Sequence, residues 1–213
     1  MKVEITKEQY LTYIEKVSEK IASEKNYITE LDSITGDGDH WVNMNMGFQK
    51  LISSKSDLEQ LSFNQMFKKI GMLIMSTVGG SSGVLYGSAY IKAASEIGDA
   101  EIIDLALLLK VFEAKLNGIM ERGNAKPGDK TMIDSLYRGV EKFKEAISAN
   151  KSDKEVLMAF KEGAQQGMQD TKEMEAAKGR AYYQTNKGVG HLDPGAVTMY
   201  YQIEALVDFL LTS

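Results

Sequence analysis

Three aspartates lie within eight residues of this sequence, Asp32, Asp37 and Asp39, with Gly36 and Gly38 between them. Glycine allows the backbone to turn tightly, so these carboxylates can converge on one point. Converging carboxylates repel one another unless a cation lies between them, and hard oxygen ligands select Mg²⁺ or Ca²⁺. The stretch therefore predicts a divalent-metal site, and a solvated polar loop is the alternative.

An EF-hand is excluded as the form of this site. Counted from Asp37, the fifth and sixth positions are Trp41 and Val42, where an EF-hand needs an acid and a glycine. Magnesium held by a few carboxylates usually shares its coordination with substrate phosphates. The aspartates therefore direct attention to phosphate-binding segments elsewhere in the chain.

A glycine and serine cluster at residues 79–83 precedes a helical pattern and contains Ser81 and Ser82. Small residues with free N–H groups at a helix start form an anion site, aided by the helix dipole. A close-packed helix junction is the alternative interpretation. A hydrolase nucleophile elbow also fits the spacing, but that fold needs a parallel sheet, for which the remaining sequence offers no pattern.

The segment from Gly123 to Thr131 nearly matches the phosphate-binding P-loop. Asp129 is inserted between the second glycine and Lys130, and a helical pattern precedes the segment where a P-loop needs a strand. We therefore reject a P-loop and expect a tight turn that starts a helix, with Asp129 and Lys130 in its first turn.

Two further candidates lie near the C-terminus. Arg180 is a candidate phosphate clamp, because its planar guanidinium suits two-point contact with phosphate oxygens. Asp193 directly precedes Pro194, which favours a helix that starts there with the aspartate as its N-cap.

The elements that must position these residues are helical. Thr6 with Gln9 predicts a capped helix start, and apolar residues recur at spacings of three and four in most of the chain. We found no convincing alternation typical of a strand. We predict one all-α domain over residues 1–213, an antiparallel up-and-down bundle or barrel of about eight helices. The apolar stripes start near residues 10, 44, 63, 85, 102, 132, 156 and 199.

Composition limits the classes of function. The net charge of -5 and the dispersed lysines and arginines exclude nucleic acid as the main partner. The sequence has no cysteine, no signal-peptide core at its N-terminus and no apolar run long enough for a membrane span. We therefore expect a cytoplasmic protein that does not enter the membrane.

Five motifs in order resemble the L subunit, or nucleotide-binding domain, of dihydroxyacetone (glycerone) kinases of glycerol metabolism. The resemblance extends from near residue 10 to the C-terminus. Each motif is weak alone, but five at compatible spacing are specific. They are Asp32 with Gly36-Asp37-Gly38-Asp39-His40, then residues 79–87, 127–132, 178–181 and 190–196.

The resemblance implies an eight-helix antiparallel barrel with ADP or ATP bound at one end. It assigns two Mg²⁺ ions to Asp32, Asp37 and Asp39. It assigns the nucleotide to a second group of residues: His40, Trp41, Val42, Asn43, Ser81, Ser82, Gly123, Met132, Arg180, Asp193, Pro194 and Gly195.

The same resemblance implies a kinase subunit that passes phosphate to a ketose held on a separate K subunit. The donor is either exchanging ATP or a phosphohistidine protein of the phosphotransferase system that rephosphorylates bound nucleotide. With no evident general base on the chain, we expect activity only with the partner subunit. A homodimer is a further candidate assembly.

Trp41 departs from the resemblance, because the family usually has glycine after the motif histidine. We expect its indole at the mouth of the phosphate site, and a side chain turned into the core is the alternative. The departure keeps other functions open: a kinase subunit for another short ketose, a non-catalytic or regulatory nucleotide-binding paralogue, or a magnesium-dependent phosphohydrolase.

Overall fold

The computed structural model describes residues 2–212, and helices dominate it. The elements are β1 (Glu4–Thr6), α1 (Lys7–Ser23), α2 (Lys25–Thr35), α3 (His40–Ser53), α4 (Lys55–Glu59), α5 (Phe63–Thr77), α6 (Gly80–Ile97), β2 (Ile102–Asp104), α7 (Leu105–Gly123), α8 (Met132–Ser148), α9 (Asp153–Asp170) and α10 (Pro194–Thr212). Two 3-10 turns lie at Thr171–Glu173 and Ala181–Tyr183. The all-α prediction is confirmed.

Eight of the helices found in residues 2–212 form a closed ring, in the order α1, α3, α5, α6, α7, α8, α9 and α10, with α10 packed back against α1. Neighbours in the ring run antiparallel. The shorter helices α2 and α4 connect ring helices. The predicted up-and-down barrel of eight helices is therefore confirmed, and its apolar stripes form one core.

One end of the barrel carries the two strands, and we call it the sheet end. β1 pairs antiparallel with β2, with Ile5 opposite Ile103, and β2 leads directly into α7. The Val3 N–H donates to Asp153 at the start of α9 at 2.7 Å, and Lys7 Nζ donates to the Leu61 carbonyl just before α5 at 2.6 Å. The starts of α1, α5, α7 and α9 therefore meet here.

Helices at the sheet end begin with side-chain caps. Thr6, Ser62 and Ser152 each accept a hydrogen bond from the N–H three residues on, and Asp104 accepts one from the Leu107 N–H. Such caps satisfy N–H groups that a helix start leaves free. At the sheet end, each of these helix starts thus has a side-chain hydrogen-bond acceptor from the protein itself.

The other end, which we call the cavity end, brings together the starts of α3, α6, α8 and α10. The connecting segments there contain left-handed residues, including Gly38, Gly128 and Gly179. No helix within residues 2–212 is long and apolar enough to cross a bilayer.

Two expectations about elements were wrong. The strands were not foreseen, because three residues are too few to show an alternating pattern. Ile102, taken as the first residue of a helical stripe, lies in β2 and is 46% exposed. The helix begins three residues later, where Asp104 caps it.

Candidate functional site

A cavity of about 680 Å³ opens at the cavity end. Its wall includes the first residues of four helices: His40 of α3, Gly80 of α6, Met132 of α8 and Pro194 of α10. Helix starts carry a partial positive charge and direct N–H groups outward. Four of them around one cavity create a setting that favours an anionic ligand.

The three aspartates converge at the rim of this cavity. One carboxylate oxygen from each of Asp32, Asp37 and Asp39 lies within 4.8 Å of the others. Asp32 is buried in the last turn of α2, whereas Asp37 and Asp39 are exposed in the following loop. An all-oxygen donor set with this spacing fits Mg²⁺. The predicted convergence is therefore present, with Asp32 supplied by a helix and the other two aspartates by the loop.

Glycines make the convergence sterically feasible. A Cβ atom at Gly36 would collide with the Asp32 carboxylate, and Gly38 adopts a φ of 78°, which side chains disfavour. The Asp32 carboxylate also accepts the His40 backbone N–H at 2.9 Å. This hydrogen bond ties the end of α2 to the start of α3 and holds the loop between them.

Arg180 joins the aspartates from a distant part of the chain. Its guanidinium forms an ion pair with the Asp37 carboxylate, and its side chain remains 66% exposed. Gly179 precedes it with a φ of 71°. The structure thus places an exposed cationic side chain beside the predicted metal ligands.

Two of the four helix starts lack a side-chain cap in the described part of the chain. They are α3, which follows Asp39, and α6, which follows Gly79. Ser81 and Ser82 lie in the first turn of α6 and line the cavity, as does Asn43 from the first turn of α3. The free N–H groups of α6 are suited to phosphate oxygens.

The other two helix starts are capped. Thr131 and Asp134 form a capping box at α8, and the Asp193 carboxylate accepts the Ala196 N–H at 2.7 Å at α10. Burial of the Asp193 carboxyl raises its pKa to about 7. Asp193 is therefore an N-cap, as predicted, and it also lines the cavity.

Lys130 has a structural role that the sequence did not reveal. It is buried with a φ of 59°, and its ammonium donates to the carbonyls of Thr171 and, at 2.6 Å, His191. The expectation that it lies in the first turn of a helix was wrong, because α8 begins at Met132 after the Thr131 cap. Lys130 instead joins the 123–131 segment to the loop before α10.

Most residues predicted for the site line the cavity. They are Asp32, Asp37, Asp39, His40, Asn43, Ser81, Ser82, Gly123, Met132, Arg180, Asp193, Pro194 and Gly195. Apolar side chains that the sequence did not single out line it as well, among them Leu85 and Ile119.

Trp41 and Val42 are not among the described residues that line the cavity. The Trp41 indole donates to the Ile21 carbonyl at 2.8 Å, packs against the core and has the Lys25 ammonium 4.8 Å from its ring. The expectation of an indole at the mouth of the phosphate site was wrong. The Trp41 side chain is directed instead toward the end of α1, where Ile21 lies.

Thr198 was missed in the sequence, where it lies in the predominantly apolar α10. The structure places its hydroxyl 2.9 Å from His40 Nε2. A polar residue four positions after the helix-starting Pro194 was the available signal, because that spacing puts both on one helix face.

Sequence comparison places this architecture among known proteins. The profile of the DAK2 domain matches residues 34–208. The chain is 33% identical over 202 residues to the "PEP-dependent dihydroxyacetone kinase, ADP-binding subunit DhaL" of Escherichia coli, covering 95% of this chain and 96% of that one. It is 33% identical over 204 residues to the ADP-binding subunit DhaL of the PTS-dependent kinase of Lactococcus lactis, covering 96% and 98%.

Structure comparison gives the same fold. The dihydroxyacetone kinase of C. freundii, in complex with AMP-PNP and Mg²⁺, superposes with a TM-score of 0.73 at 24% identity. The match covers 93% of this chain and 33% of that kinase, so the chain spans about a third of the length of that protein.

Proposed function

Because this chain belongs to the DAK2 domain family, the family of the ADP-binding subunits of dihydroxyacetone kinase, we propose that it is the nucleotide-binding, phosphoryl-transferring subunit of such a kinase. One observation supports this most directly. Three carboxylates converge within 4.8 Å beside the uncapped start of α6, in a cavity of about 680 Å³. That combination suits a metal-bound polyphosphate.

Asp32, Asp37 and Asp39 would hold two Mg²⁺ ions with the phosphates of ADP or ATP. Magnesium bound there would neutralise phosphate charge during transfer, which is the main requirement of this reaction. The N–H groups at Ser81 and Ser82 would bind phosphate oxygens, and Arg180 is close enough to Asp37 to reach them. The net charge of three carboxylates favours more than one divalent ion.

The nucleoside would occupy the apolar side of the cavity. Leu85, Ile119 and Met132 line that side together with Gly123 and Gly195. Apolar side chains bind the faces of an adenine ring, while small residues admit the ribose. This arrangement separates a charged phosphate region from an apolar base region within one cavity.

The acceptor would be a short ketose on a separate K subunit, and dihydroxyacetone is the ketose that the names of the relatives indicate. Those names identify ADP-binding subunits of kinases dependent on PEP or the PTS, which favours rephosphorylation of bound ADP by a phosphohistidine protein. The cavity residues of this chain would bind and orient the nucleotide toward that partner.

Calorimetric titration of ADP with and without Mg²⁺ tests the binding site. Asp37→Asn and Asp39→Asn should each weaken Mg²⁺-dependent ADP binding by about 100-fold, since each removes a charged metal ligand. Asp57→Asn, which alters an exposed aspartate in α4, is the matched control and should bind as the wild type does. Unchanged affinity in both site variants would falsify the metal assignment.

Transfer is tested by adding partners one at a time. The pure chain with ATP, Mg²⁺ and dihydroxyacetone should form no sugar phosphate, and addition of a K subunit with the phosphohistidine protein should start turnover. Activity with ATP and the K subunit alone would instead identify ATP as the donor. Binding of ADP without turnover under any of these conditions would identify a non-catalytic relative.

A further inference from the structure

Behind His40, a buried group of polar side chains connects three of the helices that begin at the cavity. It consists of Thr198 and Gln202 on α10 and Tyr86 on α6, all with less than a tenth of their surface exposed. His40 Nε2 lies 2.9 Å from the Thr198 hydroxyl. Thr198 and Gln202 lie outside the motifs that identify the nucleotide site, whereas Tyr86 lies in the motif at residues 79–87.

The direction of the hydrogen bonds can be deduced from Gln202. Its side-chain nitrogen lies 3.1 Å from the Thr198 carbonyl, which can only accept, so the NH₂ group must face that carbonyl. The same nitrogen lies 3.1 Å from the Tyr86 hydroxyl and donates to it. The Tyr86 hydroxyl therefore accepts from Gln202.

The Thr198 hydroxyl has one proton, and the Gly195 carbonyl, at 3.2 Å, is its acceptor. With that proton directed to Gly195, the Thr198 oxygen can only accept, and His40 Nε2 then carries the proton of its contact with Thr198. The His40 backbone N–H is already donated to Asp32.

We propose that Thr198 is a positioning residue that fixes the His40 ring as its Nε2–H tautomer. Nδ1 then remains as a hydrogen-bond acceptor, and no protein group described in residues 2–212 occupies it. His40 accordingly offers the ligand an acceptor and no donor, so its ring does not bind a phosphate oxygen. This inference deepens the proposed function and rests on it only for the identity of the ligand.

Nitrogen-15 NMR of histidine-labelled protein at about pH 8, where histidine is ordinarily neutral, tests the tautomer. His191→Gln removes the other histidine and assigns the signals. A proton on Nε2 of His40, with Nδ1 unprotonated before and after addition of Mg²⁺ and ADP, is expected. A proton on Nδ1 in either state would overturn the proposal.

Variants separate positioning from general structure. Thr198→Val removes the hydroxyl at nearly constant volume, and it should release the tautomer preference and weaken Mg²⁺-dependent ADP binding about tenfold. Thr198→Ser, which keeps the hydroxyl, should restore both. Thr12→Val, another helical threonine bonded to its own backbone, is the control.

The possible results are distinct. If Thr198→Val retains both the tautomer and the affinity, the positioning role is wrong. Should Thr198→Val fail to fold, the wild-type spectrum decides, because a proton on His40 Nδ1 contradicts the proposal. Absence of ADP binding by the wild type would contradict the proposed function while leaving the NMR result to decide the tautomer.

Discussion

The two ends of this barrel use the same structural unit, the start of a helix, for different purposes. At the sheet end, Thr6, Ser62, Asp104 and Ser152 cap their helices. At the cavity end, α6 begins without a side-chain cap among the residues described, and α3 has no bond from its N-cap residue, although its first N–H is donated to Asp32. An unsatisfied helix start lowers stability but leaves N–H groups for a ligand.

The ends also differ in backbone conformation. Most left-handed residues lie in the connections of the cavity end, among them Gly38, Gly80 and Lys130. Non-glycine residues adopt that conformation at an energetic cost, and they persist only where neighbouring contacts hold them. The comparison indicates that stability is concentrated at the sheet end and ligand recognition at the cavity end.

The largest expected effect is a pH dependence of stability caused by Lys115. It would show that not every buried group on the sheet-end side of the barrel stabilises the fold. The Lys115 ammonium is buried, donates to the Tyr10 hydroxyl at 3.1 Å and lies 4.0 Å from the Tyr90 ring centroid. Lys115 forms no ion pair with a carboxylate described in residues 2–212, and burial lowers the pKa of its ammonium to about 7. Contact with the aromatic ring faces offsets only part of the free-energy cost of burying the ammonium.

The sign of the pH dependence follows. The folded-state pKa lies below the unfolded value, so the unfolded chain holds the proton between about pH 7 and pH 10.5. The free energy of unfolding should therefore rise by roughly 1.4 kcal/mol per pH unit in that window. Urea denaturation from pH 7.5 to 9.5 measures this slope. Lys115→Met should remove it, while Lys110→Met, an exposed position on the same helix, should retain it.

A side-chain N-cap introduced at the cavity end tests the difference between the two ends of the barrel. Its expected effect on stability is smaller than that of Lys115. Gly79→Ser adds a side-chain acceptor at the start of α6, which should raise the free energy of unfolding by a few tenths of a kcal/mol. The same hydroxyl would occupy N–H groups that we assign to phosphate, so ADP affinity should fall about tenfold, or 1.4 kcal/mol. Calorimetry and denaturant unfolding of one preparation measure the two changes.

Gly79→Ala controls for the added Cβ atom, which would lie 2.6 Å from the movable Asn43 amide oxygen. The reverse change at the sheet end, Ser62→Ala, should lose about 1 kcal/mol of stability and leave ADP binding intact. If Gly79→Ser binds ADP as well as Gly79→Ala does, the N–H groups of α6 are not the phosphate site.

The smallest expected effect concerns Trp41, next to the cavity but turned from it. Because its indole donates to Ile21 and packs against the core, its fluorescence should be unchanged when Mg²⁺ and ADP bind. Trp41→Phe should retain ADP affinity and lose about 1 kcal/mol of stability with the hydrogen bond. A marked change in Trp41 emission when Mg²⁺ and ADP bind would show that the indole does lie at the ligand site.

Much of the fold could be predicted because helix signals are local. Thr6 with Gln9 and the apolar repeats gave the helices, and short connections gave antiparallel neighbours. Pairing of Ile5 with Ile103 could not be predicted, because it depends on the assembled barrel. Ile102 was misassigned because an exposed strand residue can fall in register with a helical stripe.

The site was predictable where its chemistry is repeated in a short motif, as with the three aspartates. It was not predictable where side-chain direction decides the role. Trp41 and His40 are adjacent in sequence but face different surroundings, and Lys130 serves backbone carbonyls that lie about 40 and 60 residues away. Thr198 acquires its partner only when the starts of α10 and α3 come together at the cavity end.

The pairing of Glu4 with Asp104 also constrains the order in which the chain can fold. β1 has no partner strand until 100 further residues have been synthesised, so α1 must form before the strand that precedes it is anchored. The α5–α6 and α8–α9 hairpins, by contrast, join helices adjacent in the chain and can form early. During synthesis, closure of the ring therefore waits for α10, the last helix, to reach α1.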